Sequence, residues 1–163
     1  EGSLLTLNDT GKYLFVEFPS NDVPRYTKQL FFNLKLKGLI PVIVHPERNR
    51  AIMDDPNRLY KLVKDGALAQ VTAGSLIGRF GKKIRELSFR LIEHSHIHFI
   101  ASDAHNVTTR SFHMRQAYDT LEDEFGSDIV EEFQHNAKHL IAGEDIYVIE
   151  PLEMKKRKRF RLF

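Results

Sequence analysis

The chain has 163 residues, 42% of them hydrophobic and 28% charged, which suits one globular domain with its own core. Cysteine is absent, so disulfides, thiolate ligands and a cysteine-nucleophile phosphatase mechanism are excluded, and any metal must rest on His, Asp or Glu. The formal net charge of +2 is set by residues 155–161, six of whose seven side chains are basic; the remainder of the chain is slightly acidic.

No apolar run approaches the roughly 18 residues that cross a bilayer, and no signal peptide is visible. The opening Glu1-Gly2-Ser3 lacks an initiator Met, so the chain is expected to start inside a longer protein or to follow a removed tag. Residues 13–18 read as a first strand, short, apolar and nearly continuous, as strands of a buried parallel sheet are. Residues 24–37 read as a helix, with Pro24 in its first turn, Tyr26, Leu30, Phe31, Leu34 and Leu36 near helical spacing, and Gly38 as the stop. A strand over 39–44 follows, then a helix over 56–65 with Leu59, Leu62 and Val63 inward, and a strand over 67–72. A long helix over 82–94 carries Ile84, Leu87, Leu91 and Ile92 on one face, and a fourth strand covers 97–101. Residues 112–124 and 127–141 read as a helical pair divided at Gly126-Ser127. This alternation predicts an α/β fold with a parallel sheet, either barrel or doubly wound. Residues 1–150 are expected to form the domain, and 151–163 a basic, mobile extension.

Metal-competent residues end these strands. Glu17 ends the first, His45 the second, and Asp103 and His105 follow the fourth. In a parallel α/β sheet the C-terminal strand ends share one side of the molecule, where active sites of barrels and open sheets lie. Carboxylate oxygen and neutral imidazole together suit a hard or borderline cation. Arg48 and Arg110 follow on loops of the same rim, and their guanidinium forks match the oxygens of a phosphate ester. The competing reading of Arg48 is an ion pair with Glu47. Arg50 reads as a surface or structural residue.

Other groups are set aside. His94, His96 and His98 form an His-x-His pattern, but they enter the fourth strand; His98 is roughly 16 Å from Asp103 at about 3.3 Å per residue. His135 and His139 read as surface or packing residues; His113 reads as one too, or, being close to the rim, as a rim residue. Thr72-Ala73-Gly74-Ser75 reads as a turn and helix cap with Ser75 as N-cap, or as a substrate-lining segment with no catalytic role. Gly78 and Gly81 match no phosphate-loop spacing.

Four stretches, Val-Glu-Phe-Pro-Ser-Asn (16–21), His-Pro-Glu-Arg-Asn-Arg (45–50), Gln-Val-Thr-Ala-Gly-Ser-Leu (70–76) and Ser-Asp-Ala-His-Asn (102–106), together resemble the tyrosine phosphatases of the polymerase-and-histidinol-phosphatase (PHP) family in Gram-positive bacteria. Those enzymes accompany the tyrosine kinases of capsular and extracellular polysaccharide synthesis. The resemblance runs from about residue 3 to 142 and leaves out the basic tail. It implies a distorted (β/α)7 TIM-like barrel, here partial and lacking its N-terminal strands, with manganese as cofactor, up to three ions when intact, or iron, zinc or magnesium instead. By the same resemblance Glu17 and His45 share one ion, Asp103 binds a second and His105 a third, Arg48 and Arg110 hold the phosphate, and a metal-bridging hydroxide attacks phosphorus. The implied partners are a phosphotyrosine protein, a bacterial tyrosine kinase above all, and the N-terminal part of the same barrel. That part, with an His-x-His strand and a bridging carboxylate, is missing, so the 163 residues alone are expected to be inactive or weakly active, and the protein to be cytoplasmic.

Two alternatives differ in class. One is a PHP phosphoesterase acting on a small-molecule phosphate. The other is a non-catalytic fragment or binding module that meets nucleic acid or an anionic membrane through the tail.

Overall fold

The computed structural model describes residues 5–108 and 111–155. Four strands, β1 (Tyr13–Val16), β2 (Ile40–Val44), β3 (Leu68–Thr72) and β4 (Phe99–Ala101), pair side by side in chain order. All three pairings are parallel, with Phe15 beside Val42, Val42 beside Leu68, and Val71 beside Ile100. Helices α1 (Thr27–Leu36), α2 (Arg50–Asp54) and α3 (Asn57–Lys64) occupy the first two crossovers. Helices α4 (Ala73–Leu76) and α5 (Lys82–Glu93) occupy the third, and α6 (Met114–Phe125) and α7 (Ser127–Ala142) follow β4.

One sheet face carries Ile43, Ala69, Val71 and Ile100 into a large apolar cluster with Phe31 and Leu34 of α1, Leu59, Leu62 and Val63 of α3, and Leu87, Leu91 and Ile92 of α5. Each strand thus buries one side chain in two against helices spaced at about 3.6 residues per turn, which makes the crossovers a covering layer. The opposite face holds Tyr13, Val42, Leu68 and Phe99 under Leu140 of α7. That second cluster is small and covers only one end of the face, because Phe15, one alternation further along β1, is 43% exposed.

The expected strands and long helices are present, with ends displaced by at most three residues. The helix expected from 24 begins at Thr27, after a turn in which the Thr27 N–H donates to the Pro24 carbonyl at 3.0 Å. Of its expected apolar stripe only Phe31 and Leu34 are buried; Tyr26, Leu30 and Leu36 are exposed. Gly38 does stop α1, at φ +75°, a left-handed value that costs a side-chain-free residue little.

The segment after α7 corrects the expected boundary at 150. Lys12 holds Asp145 at 2.8 Å, and the Tyr13 hydroxyl donates to the Glu144 carbonyl at 2.6 Å. Ile146 packs on the smaller cluster. The Leu152 N–H donates to the His94 carbonyl at 3.0 Å. Asn57 brackets Met154, donating to its carbonyl at 2.9 Å and accepting from its N–H at 3.0 Å. Met154 is 3% exposed and part of the main core. Residues 151–155 are therefore a docked strap rather than the start of a mobile extension, because the apolar Met154 and the hydrogen-bonding capacity of Asn57 outweigh the polar composition around them. The basic residues from 156 onward lie outside the described residues.

Candidate metal centre

Strand direction places the candidate residues on one rim. Glu17 follows β1, His45 follows β2, and Asp103 and His105 follow β4. His45 and Asp103 both adopt left-handed backbone, φ 39° and 49°. Such conformations cost of order 1–3 kcal/mol for a residue with a Cβ and gather at functional sites. Among the described residues six non-glycines have positive φ, and three of them, His45, Asp103 and His113, lie on this rim.

The donors meet in pairs. The Glu17 Oε1 is 3.3 Å from the His45 Nε2. The Asp103 Oδ1 is 3.9 Å from the His105 Nδ1, which also contacts the Asp103 carbonyl oxygen at 2.8 Å. Burial, then the Arg48 charge, pushes the His45 imidazole below its usual pKa, while Glu17 and Asp103 oppose the shift. The result favours the neutral ring that metal coordination requires. Among the described residues no three His, Asp or Glu groups converge closely enough to hold an ion by themselves. The donor set has the right chemistry for a divalent ion and supplies it as two half-sites.

Arg48 joins them. Its Nη2 contacts the Asp103 Oδ2 at 2.8 Å, both side chains about four-fifths buried, and its guanidinium lies 5.0 Å from the centre of the Phe80 ring. The expected alternative, an Arg48–Glu47 pair, is overturned. Glu47 is fully buried; its Oε1 accepts from the Thr72 N–H at 3.1 Å and from the Ser75 hydroxyl at 2.6 Å, and burial pushes its carboxyl up. Ser75 accordingly is not an N-cap but sits inside α4, tying that helix to the His45–Arg48 loop. The loop is further held by Asn49, which caps α2 by accepting from the Ile52 N–H at 3.1 Å and donates to the Pro19 and Asp22 carbonyls. The β1 and β2 loops are thereby fixed to each other.

Two hollows flank Arg48. One, of about 120 Å³, is lined by Glu17, Phe18, Ser20, His45 and Arg48. The other is a crevice of about 10 Å³, with room for about one water, lined by Arg79, Phe80, Ser102, Asp103, Ser111 and His113. Arg79, Phe80 and Ser111 belong to the rim although no sequence signal singles them out; of the two readings of His113 the structure supports the rim, with its Nε2 3.0 Å from the Ser111 hydroxyl. Arg110 lies outside the described residues. Arg50 is a surface residue as expected, pairing with Asp54 at 3.5 Å.

The His-x-His run lies at the other end of β4. The His98 Nδ1 accepts from the Ala69 N–H at 3.1 Å, and the His96 Nε2 contacts the Leu152 carbonyl at 2.7 Å. Both rings are buried and serve the strands and the strap.

A parallel α/β sheet that gathers carboxylates, imidazoles and a guanidinium on its C-terminal rim belongs to the class of folds that bind a cation beside an anionic ligand. The chain is a member of the family described as "Capsular polysaccharide synthesis, CpsB/CapC", whose sequence profile matches residues 1–142. It is 52% identical over 160 residues to the tyrosine-protein phosphatase YwqE of Bacillus subtilis (strain 168), covering 98% of this chain and 63% of that protein. It is 30% identical over 142 residues to the tyrosine-protein phosphatase CpsB of Streptococcus pneumoniae, covering 83% of this chain and 58% of that protein. A solved structure from the work on YwqE and CpsB, described as unique metal-dependent tyrosine phosphatases, superposes with a TM-score of 0.91 at 51% identity, over 93% of this chain and 61% of the other. The chain thus spans about three-fifths of the length of the relatives it matches.

Proposed function

We propose that this chain is the larger part of a metal-dependent protein-tyrosine phosphatase. The observation that carries the reading is the meeting of Arg48 with Asp103 at 2.8 Å beside the Glu17–His45 pair, in a chain so similar to tyrosine-protein phosphatases. Glu17 and His45 would hold one ion, and Asp103 and His105 would supply donors to others. A divalent ion so held supplies Lewis acidity and positive charge beside a phosphoryl group. Arg48 presents its guanidinium to the nonbridging oxygens, and Arg110 is assigned the same task. In the structure Arg48 neutralises Asp103, so a cation held by Asp103 would compete with the guanidinium for that carboxylate and would leave Arg48 available to an anion. Glu47, Ser75 and Asn49 keep the His45–Arg48 loop in place.

Several finer readings belong to the same proposal. The sheet is one arc of a distorted (β/α)7 barrel; the unbroken parallel order supports this, since a doubly wound sheet reverses direction. The metal is manganese, with iron, zinc or magnesium as competitors. The substrate is a phosphotyrosine protein, in the first place a bacterial tyrosine kinase, and the compartment is the cytoplasm. The two half-sites support the expectation that these residues alone turn over poorly.

The test is hydrolysis of a phosphotyrosine peptide by the full-length protein with added manganese, alongside elemental analysis. Activity that disappears with chelator and in His45→Ala or Asp103→Ala, with folding intact, is the expected result. A folded protein that binds no divalent metal and releases no phosphate sinks the proposal.

A further inference from the structure

Resting on that phosphatase reading, we infer that Phe80 selects aryl over alkyl phosphate esters, by receiving the phenyl ring of the substrate. Two aromatic side chains line the hollows on either side of Arg48, Phe18 and Phe80. Phe18 is 9% exposed and stacks on Phe31 at 6.1 Å, inside the core. Phe80 is 36% exposed, lines the same hollow as Asp103, and lies 5.0 Å from the Arg48 guanidinium. A phosphotyrosine ring is only two bonds from phosphorus. An ester whose phosphate rests on Arg48 has its ring within reach of the exposed part of Phe80, over the roughly 4.5–7 Å at which aromatic pairs attract edge-to-face or offset. A serine or threonine phosphate puts a short saturated chain there and gains none of this.

The backbone builds this position. The Gly81 N–H donates to the Gly78 carbonyl at 3.0 Å, and the Arg79 N–H to the Gly74 carbonyl at 2.9 Å, closing a turn that folds Phe80 back over α4. A Cβ at Gly74 would sit 3.1 Å from the Phe80 Cε2, so a side chain at 74 would make the ring give by a few tenths of an ångström. A phenylalanine left one-third exposed costs hydrophobic free energy, a cost that a stacked substrate ring recovers.

The experiment compares full-length, manganese-loaded wild type with Phe80→Ala, Phe80→Leu and Phe80→Tyr, each checked for folding by thermal melting. Two readouts are taken: kcat/KM on phosphotyrosine and phosphoserine peptides of one sequence, and binding of phenylphosphonate against methylphosphonate by calorimetry. Phe80→Ala and Phe80→Leu should lower kcat/KM for the phosphotyrosine peptide by roughly fivefold to tenfold, mainly through KM. The phosphoserine rate should stay within about twofold, and Phe80→Tyr should restore the aryl preference. Phenylphosphonate affinity should fall in parallel while methylphosphonate affinity holds. Equal loss on both esters means that Phe80 merely supports Arg48, and overturns the inference, as does an unchanged ratio. Should wild type hydrolyse neither ester, the phosphatase reading falls, and the phosphonate titrations decide Phe80 alone: a preference lost on substitution supports it, and a preference absent or unaltered overturns it.

Discussion

At the C-terminal ends of the strands, His45 and His105 sit beside carboxylates on an open rim, with Glu17 and His105 more than half exposed. At the N-terminal end of β4, His96 and His98 are buried beside the strap that carries Met154, one nitrogen of each ring engaged by a backbone carbonyl or N–H and the other, among the described residues, buried without a partner. The same residue type does opposite work at the two ends of one sheet. An imidazole next to a carboxylate and water is available to a cation. An imidazole that completes a backbone hydrogen bond in the dry interior is a structural amide substitute. Which role a histidine takes follows from whether it enters or leaves its strand, since only the leaving ends face the loops that can build a site.

The sharpest way to break this comparison is to exchange its consequences. His45→Ala or Asp103→Ala in the full-length protein should cost at least ~1,000-fold in phosphotyrosine hydrolysis, by removing a donor from a set that acts as a unit, while leaving the melting temperature within a few degrees. His98→Ala should do the reverse. It opens a cavity and strands the Ala69 N–H, for a loss of about 3 kcal/mol in urea unfolding, with metal content per folded molecule unchanged. If His98→Ala strips metal without destabilising the fold, the two ends have been assigned the wrong way round.

Acid titration sharpens the point. Burial pushes His98 down from 6.5 to about 4, so between those values the unfolded chain takes up a proton that the folded chain refuses. The His98 contribution is complete above pH 6.5 and shrinks as pH falls toward 4, by about 3 kcal/mol in all. Unfolding free energies of wild type and His98→Gln, measured from pH 7 to 4, should converge by that amount as the acid limit is approached; parallel curves would count against a buried neutral ring. A smaller effect concerns the strap. Asn57→Ala removes both hydrogen bonds to Met154 and should cost about 2 kcal/mol, with faster amide exchange over 146–155 and little change at the rim.

Much of this was legible from the chain. The strands over 13–18, 39–44, 67–72 and 97–101 appear at those places because short runs rich in Val, Ile and Leu bury well in a parallel sheet and in little else. Their order also fixed the side on which Glu17, His45, Asp103 and His105 emerge. The outward turn of Tyr26, Leu30 and Leu36 was not legible, since helical spacing names a stripe but not how much of it a neighbour covers. Nor was the strap, because Asn57 and Met154 are 97 positions apart and composition around 151 reads as solvated.

The sequence by itself determined the residue chemistry and the direction of each strand, and with them the rim on which the polar groups gather, because alternation and strand order are local properties that topology turns into a side. Only the tertiary structure decided that Arg48 faces Asp103 while Glu47 turns inward to Ser75 and Thr72, and that Phe80 comes to rest over Gly74 beside the guanidinium. Those partners lie on different crossovers, and which of two adjacent side chains points inward is settled by the left-handed turn at His45 and the packing of α4 beneath it, which a linear pattern does not encode.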